Sequence, residues 1–178
     1  MTPIANRPDR APGFSLLELI IVIGMIGIMA AVAVPLYTDN IPRFQLKAAA
    51  RMVVSDLQQA RLEAAKRNCA VTVTFTPGTY SKEGGIGGYK MMETSGNTTI
   101  KTGVMPRDVT LYATNFTANT TGYTAQGLPW QSSWGSAYLI NNQGDSYKIS
   151  LSAAGNISMP LQHLTAFDPN GSANPSTW

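Results

Sequence analysis

The sequence has one cysteine, Cys69, and one histidine, His163. A lone cysteine excludes an intramolecular disulfide. A lone histidine excludes a His-clustered metal site and most Ser-His-Asp arrangements. Charge is scarce: 13% of the 178 residues are charged, against the usual ~25%. With 44% hydrophobic residues, this excludes a chain kept disordered by its own solvation. Long apolar runs are scarce too. Only one is present, so a polytopic membrane protein is excluded. Thirteen basic against ten acidic residues leave a net charge of +3, too thin over this length to imply a nucleic-acid partner by itself. Asp and Glu are scattered, with no pair spaced for general acid and base work. These absences leave no catalytic residue, no metal ligands and no cofactor site to assign. At ~150 residues per domain the chain is one domain with extras.

The one apolar run lies at the amino terminus. Met1–Gly13 is polar, with Arg7, Asp9, Arg10 and three prolines. From Phe14 to Leu36 the only ionisable side chain is Glu18. A helix of this length spans a ~30 Å hydrocarbon layer at ~1.5 Å per residue. Three readings fit these residues. One is a secretory signal peptide cut near Ala31-Val32-Ala33. Another is an ordinary membrane anchor, in which Glu18 is a cost that falls near the end of the span. In the third, Glu18 has a purpose. The positive-inside rule does not orient the span, because Arg7 and Arg10 on one side face Arg43, Lys47 and Arg51 on the other.

Behind this run, Leu46, Ala50, Val53, Leu57, Ala60 and Ala64 repeat every three or four residues, the signature of one buried helix face. Pro35 and Pro42 predict a kink or local break, since proline lacks an amide donor and crowds the preceding turn. Asn68 is a candidate helix stop. Val71, Val73 and Phe75 then alternate with threonines, as in a half-buried strand. Further strands are expected over Tyr89–Glu93, Thr98–Thr102, Val109–Ala113, Ala137–Asn141, Tyr147–Leu151 and Asn156–Met159, separated by loops rich in Gly, Ser, Thr and Asn. Gly84–Gly88 precedes a strand pattern rather than a helix, so it reads as a flexible hairpin and not as a phosphate loop. Cys69 reads as a buried small hydrophobe and His163 as a surface or rim residue. The Pro-, Asn-, Gly- and Ser-rich Asp168–Trp178 reads as a mobile tail.

The run Gly13-Phe14-Ser15-Leu16-Leu17-Glu18-Leu19-Ile20 resembles the amino-terminal signal of type IV pilins and type II secretion pseudopilins. The resemblance implies cleavage by a prepilin peptidase between Gly13 and Phe14, and methylation of the new Phe14 amine. It implies that Glu18, the fifth mature residue, sets axial register in a filament by pairing with the Phe14 amine of a neighbouring subunit. It also implies a helix kink at Pro35 and an amino terminus on the cytoplasmic side. The stretch Ser55–Asn68, followed by Val71-Thr72-Val73, is similar to the GspH/FimT group of minor pseudopilins and minor pilins. Gly144–Ser152 with Gly155 resembles the closing hairpin of that group. Residues 76–136 find no counterpart in these motifs and read as an insert of this chain's own.

The expectation is an α+β pilin fold, in which a long amino-terminal helix, membrane-embedded in its first half, packs on an antiparallel sheet head. Residues 1–13 are the leader, 14–36 the transmembrane and filament-core helix, 37–167 the periplasmic or extracellular head, and 168–178 the tail. The function implied is that of a non-catalytic subunit of a type IV pilus or type II secretion pseudopilus. Its partners would be the prepilin peptidase, other pilin or pseudopilin subunits and inner-membrane lipid. Candidate interaction residues are the basic stripe Arg43, Lys47 and Arg51, spaced i, i+4, i+8, together with Trp130 and Trp134. The stripe suits lipid headgroups, acids of neighbouring subunits or DNA. Some FimT members bind DNA through arginines in the closing hairpin, near the glycine matching Gly155. Here Asn156, Ile157 and Ser158 follow it, which opposes a DNA-uptake role. The other alternative is a secreted β-rich binding protein with an ordinary signal peptide.

Overall fold

The apolar run and the stripe behind it form one helix, α1 (Leu16–Arg67). The computed structural model describes residues 14–130 and 134–163. The leader and tail expected at residues 1–13 and 168–178 lie outside them. The chain divides into two units between Asp39 and Asn40. The first unit contributes the apolar helix, with Leu16–Ala33 wholly exposed. The helix runs through Pro35 and Pro42 without a local break. Each proline removes one amide donor, and the remaining i→i−4 bonds on either side suffice to carry the helix through.

In the second unit the stripe is buried as the spacing predicts. Leu46, Ala50, Val53, Leu57, Ala60 and Ala64 are all at or below 1% exposure, and Ala49 joins them. The alanines carry nothing beyond Cβ, so this face of the helix can lie close against the strands. The helix ends at Asn68, which takes the left-handed conformation at φ 50°. The Asn68 amide donates to the Ala65 carbonyl and the Cys69 amide to the Ala64 carbonyl. That pair of bonds satisfies carbonyls the last turn would otherwise leave open.

Among the described residues nine strands follow, in two antiparallel sheets. The first contains β1 (Val71–Thr76), β2 (Gly88–Glu93), β3 (Thr98–Val104) and β5 (Thr120–Tyr123), in the order β3-β2-β1-β5. The second contains β4 (Val109–Thr114), β6 (Gly135–Asn141), β7 (Asp145–Leu151) and β8 (Ile157–Ser158), in the order β4-β6-β7-β8, with β9 (Leu161–His163) also paired to β7. Val71, Val73 and Phe75 of β1 enter one core with Val109, Leu111, Ala137, Leu139, Ile149 and Leu151 of the second sheet and with the helix stripe. Phe75 stacks on Phe116 and tilts against Tyr89 at its centre. Residues 76–136 thus supply strands of both sheets rather than an appendage.

β5 and β9 were not expected. Thr120–Tyr123 has no clean alternation and contains a glycine, so it reads as loop. Yet Gly122 is what lets it pair with β1, because a Cβ there would stand 2.6 Å from the Val71 carbonyl oxygen. The Gly84–Gly88 segment does join the β1–β2 hairpin, but as a fastened strap rather than a flexible loop. The Gly85 amide donates to the Pro106 and Val109 carbonyls, and the Leu111 amide to the Ile86 carbonyl. A Cβ on Gly84, which sits at φ +62°, would meet the Asp108 and Val109 amides at 2.3 Å.

A buried carboxylate sits on the helix face. Asp56 is 3% exposed. It accepts hydrogen bonds from the Tyr89 hydroxyl of β2 and the Lys101 ammonium of β3, each at 2.6 Å. Lys101 keeps 40% of its side chain exposed, so water shares its charge. Lys101→Met is expected to lower stability by about 1–3 kcal/mol, less than the ~3–5 of a fully buried pair broken on one side. Replacing Asp56 and Lys101 together by apolar residues should recover most of that loss. Thermal unfolding of the full chain in detergent micelles, followed by circular dichroism, checks both.

Burial pushes the Tyr89 phenol up, and its hydrogen bond to Asp56 pushes the same way. Burial also raises Tyr123. The folded state therefore holds these protons more tightly than the unfolded state, where a tyrosine titrates near ~10. The stabilisation is complete below that pH and is lost as pH rises above it. The melting temperature should fall above pH ~10, and the fall should be shallower in Tyr89→Phe, as melting curves across that range would register.

Candidate functional site

The amino-terminal end of α1 is built by Ser15. Its hydroxyl accepts a hydrogen bond from the Leu17 amide at 3.3 Å, and its carbonyl accepts one from the Leu19 amide. Ser15 thus caps the helix. Glu18 falls in the first turn, where the open amides of the helix favour negative charge. Phe14 is 88% exposed, and the large apolar side chains that follow it stand free of protein contacts that would bury them. Gly24 and Gly27 have nothing within 4 Å of where a Cβ would be. This surface is an apolar cylinder with one acid at its start. Gly13 lies outside the described residues, as does the side chain of Pro35.

The basic stripe is not uniform. Arg43 turns to Asp145 of β7, with Nε 3.0 Å from the carboxylate. Asp145 is itself buried and held by the β6–β7 turn, where its amide donates to the Asn141 side-chain oxygen at 2.8 Å. Lys47 and Arg51 are exposed. One cation of the stripe therefore ties α1 to the second sheet, and two remain on the surface.

Trp130 and Trp134 are both exposed, at 42% and 64%. The Trp130 amide donates to the Gly122 carbonyl, which anchors the backbone of this loop to β5. Cys69 is half-buried rather than a core residue. Its place directly after the helix stop leaves it at the rim of β1, near Glu93. The Glu93 carboxyl is held below the ordinary range, first by the Ser95 hydroxyl, then by Arg67. His163 lies in β9, where its backbone pairs with Asp145, and its side chain is not described. In the closing hairpin, Lys148 sits over the Tyr138 ring, 5.8 Å from its centroid. Among the described residues, no three His, Cys, Asp or Glu side chains converge as metal ligands would.

Asp56 was missed by reading the sequence, although a signal exists. Ala49, Val53, Asp56 and Ala60 are spaced 4, 3 and 4, so the carboxylate falls on the apolar face and requires a partner from elsewhere. Arg61 and Gln58 were also missed. They line an open cavity with Tyr123, Gly155, Asn156 and Ile157.

Known proteins match the chain in two places. Residues 9–34 match the prokaryotic N-terminal methylation motif. Residues 49–155 match the family model of the type II transport protein GspH. The chain is similar to the pilin-like protein PilA1 of Thermus thermophilus, 42% identical over 67 residues, and to the fimbrial protein EcpB of Eikenella corrodens, 56% identical over 37. These segments are 37% and 21% of this chain and span only 42% and 23% of those relatives. Among solved structures it is similar to the type IV minor pilin FimU of Pseudomonas aeruginosa, with TM-score 0.49 and 19% identity over 66% of this chain and 90% of that one. The range of the GspH match includes residues 76–136. From the alanine face of α1 to the turn at Gly155 it takes in most of the head, and the chain belongs to the GspH family of pilin-like proteins.

Proposed function

We propose that this chain is a minor pilin or pseudopilin, a non-catalytic subunit of a type IV pilus or type II secretion pseudopilus. The observation that carries the reading is the exposed apolar helix Leu16–Ala33, with Glu18 as its only charge, in the first turn. The methylation motif over residues 9–34 supports it. In this reading the prepilin peptidase cleaves between Gly13 and Phe14, and the Phe14 amine is methylated. The helix holds the subunit in the bacterial inner membrane with the head on the periplasmic side, and the head becomes extracellular if the subunit enters a pilus. Other pilin subunits then replace lipid around the helix.

Glu18 follows from the same physics. A carboxylate in an apolar medium needs a partner. A neighbouring subunit's Phe14 ammonium neutralises it at one axial offset only, and so fixes register. Pro35 would let the helix bend where it leaves the apolar layer. Lys47, Arg51, Trp130 and Trp134 are the exposed groups left for contacts with neighbouring subunits or headgroups. A DNA-binding role draws little support, because a site that neutralises several phosphates needs clustered cations. The closing hairpin offers Lys148 alone.

Processing is tested by intact-mass analysis of the membrane-extracted protein. The expected mass is that of a chain beginning at Phe14 with one added methyl group. A chain beginning near Val34 would instead establish an ordinary signal peptide and a secreted head.

Assembly is tested with Glu18→Ala. Insertion and cleavage should persist, while recovery in sheared filaments should fall by an order of magnitude or more. The substitution leaves an ammonium unpaired in the filament core, a cost of about 3–5 kcal/mol. Recovery equal to that of the unaltered protein would remove Glu18 from assembly.

A further inference from the structure

The cavity between α1, β5 and the turn after β7 has a volume of about 220 Å³ and is lined by Gln58, Arg61, Tyr123, Gly155, Asn156 and Ile157. That is smaller than the ~300–1,000 Å³ of sites that enclose a whole small molecule, and it suits one functional group on a short stem. Its polar lining is unusual in being rich in donors. Arg61 brings a guanidinium, Gln58 and Asn156 bring amides, and among the described residues no carboxylate lines the space.

Tyr123 supplies the second observation. It is fully buried, and among the described residues its hydroxyl has no hydrogen-bond partner. A buried hydroxyl left unpaired is destabilising, and such groups in folded proteins ask for an explanation. Burial holds the proton on this phenol, while the charge of nearby Arg61 works the other way. Tyr123 and Arg61 line the same cavity. Arg61 and Gln58, three apart on α1, lie on one side of the helix, and both are exposed.

We propose that this cavity is a carboxylate-binding site, with Arg61 as the charged clamp and the Tyr123 hydroxyl, Gln58 and Asn156 as further donors. A guanidinium matches the two oxygens of a carboxylate with two parallel hydrogen bonds. One cation matches one negative charge, whereas a nucleic-acid backbone would demand several. The carboxylate comes either from a free small acid or from an acidic side chain of another polypeptide. The site does not depend on processing at Gly13 or on entry into a filament, so its test stands apart from theirs.

The full-length ¹⁵N-labelled protein in detergent micelles is titrated with sodium glutarate, with sodium chloride at equal ionic strength as control. The Arg61 Nε–H and the Asn156 and Gln58 side-chain amide resonances are the readout. Saturable shifts with glutarate and none with chloride are expected. Arg61→Gln, at an exposed position that leaves the fold intact, should weaken binding by about tenfold or more. Tyr123→Phe should also weaken binding while the melting temperature stays equal or rises, since it removes an unpartnered hydroxyl. A purely structural Tyr123 would leave the titration unmoved. Two peptides, alike except for a central Glu or Gln, separate the sources. Tighter binding of the Glu peptide than of glutarate identifies a protein side chain, and equal binding identifies a free acid; both support the site. A response matched by chloride, one that survives Arg61→Gln, or tighter binding of inorganic phosphate or a short oligonucleotide at the same resonances would overturn it.

Discussion

Both sheets of the head are assembled against one surface, the buried face of α1 between Leu46 and Ala64. Four of its positions are alanines, Ala49, Ala50, Ala60 and Ala64. Small side chains bring the helix close, and the larger strand residues fill the space: Phe75, Tyr89 and Met91 from the first sheet, Leu111, Leu139 and Ile149 from the second. In a close-packed interior this constraint is strict, because added volume on the helix must displace strand residues that are already touching. The aromatic group of Phe75, Tyr89 and Phe116 shows where that space is used.

The polar residues that enter this interior secure particular pairings. Asp56 draws β2 and β3 to the helix through Tyr89 and Lys101. Asp145 holds Arg43 to the β6–β7 turn. Each is an acid with little exposure answered by a cation that remains partly in water. Such pairs contribute modestly to stability, since desolvation offsets much of the attraction. Their effect is on geometry: an unmatched acid at either place would be costly, so alternative seatings of the helix are disfavoured.

The same helix meets two different environments. Beyond Asn40 one face is covered and the other is mostly polar, with Phe44 and Leu62 also exposed. Over Leu16–Ala33 every side chain is apolar except Glu18, and all are exposed. Such a surface calls for lipid or other apolar helices around it. This division suits a family of pilin-like subunits, where one segment serves membrane and filament while the head displays its own surface. Exposed on that head are Trp130 and Trp134, and Lys47 and Arg51 of the basic stripe.

Much of this was legible in the residues themselves. The apolar run with its lone acid, the three-and-four spacing of the stripe, the stop at Asn68 and the alternation of β1 are local patterns. They report directly whether a position faces water, core or lipid. Seven of the nine described strands fall on segments expected from the sequence. What the tertiary structure alone decided are pairings over long separations. Thr120–Tyr123 becomes a strand because Gly122 leaves room beside Val71, a fact about its neighbour. Lys101 reaches Asp56 across 45 residues, and Arg43 reaches Asp145 across 102. Arg61, Tyr123 and Asn156 come from three distant elements to line one cavity. Periodicity marks which side of an element is buried, but strand register and helix seating choose the partner, and those arise only when all the elements share one core.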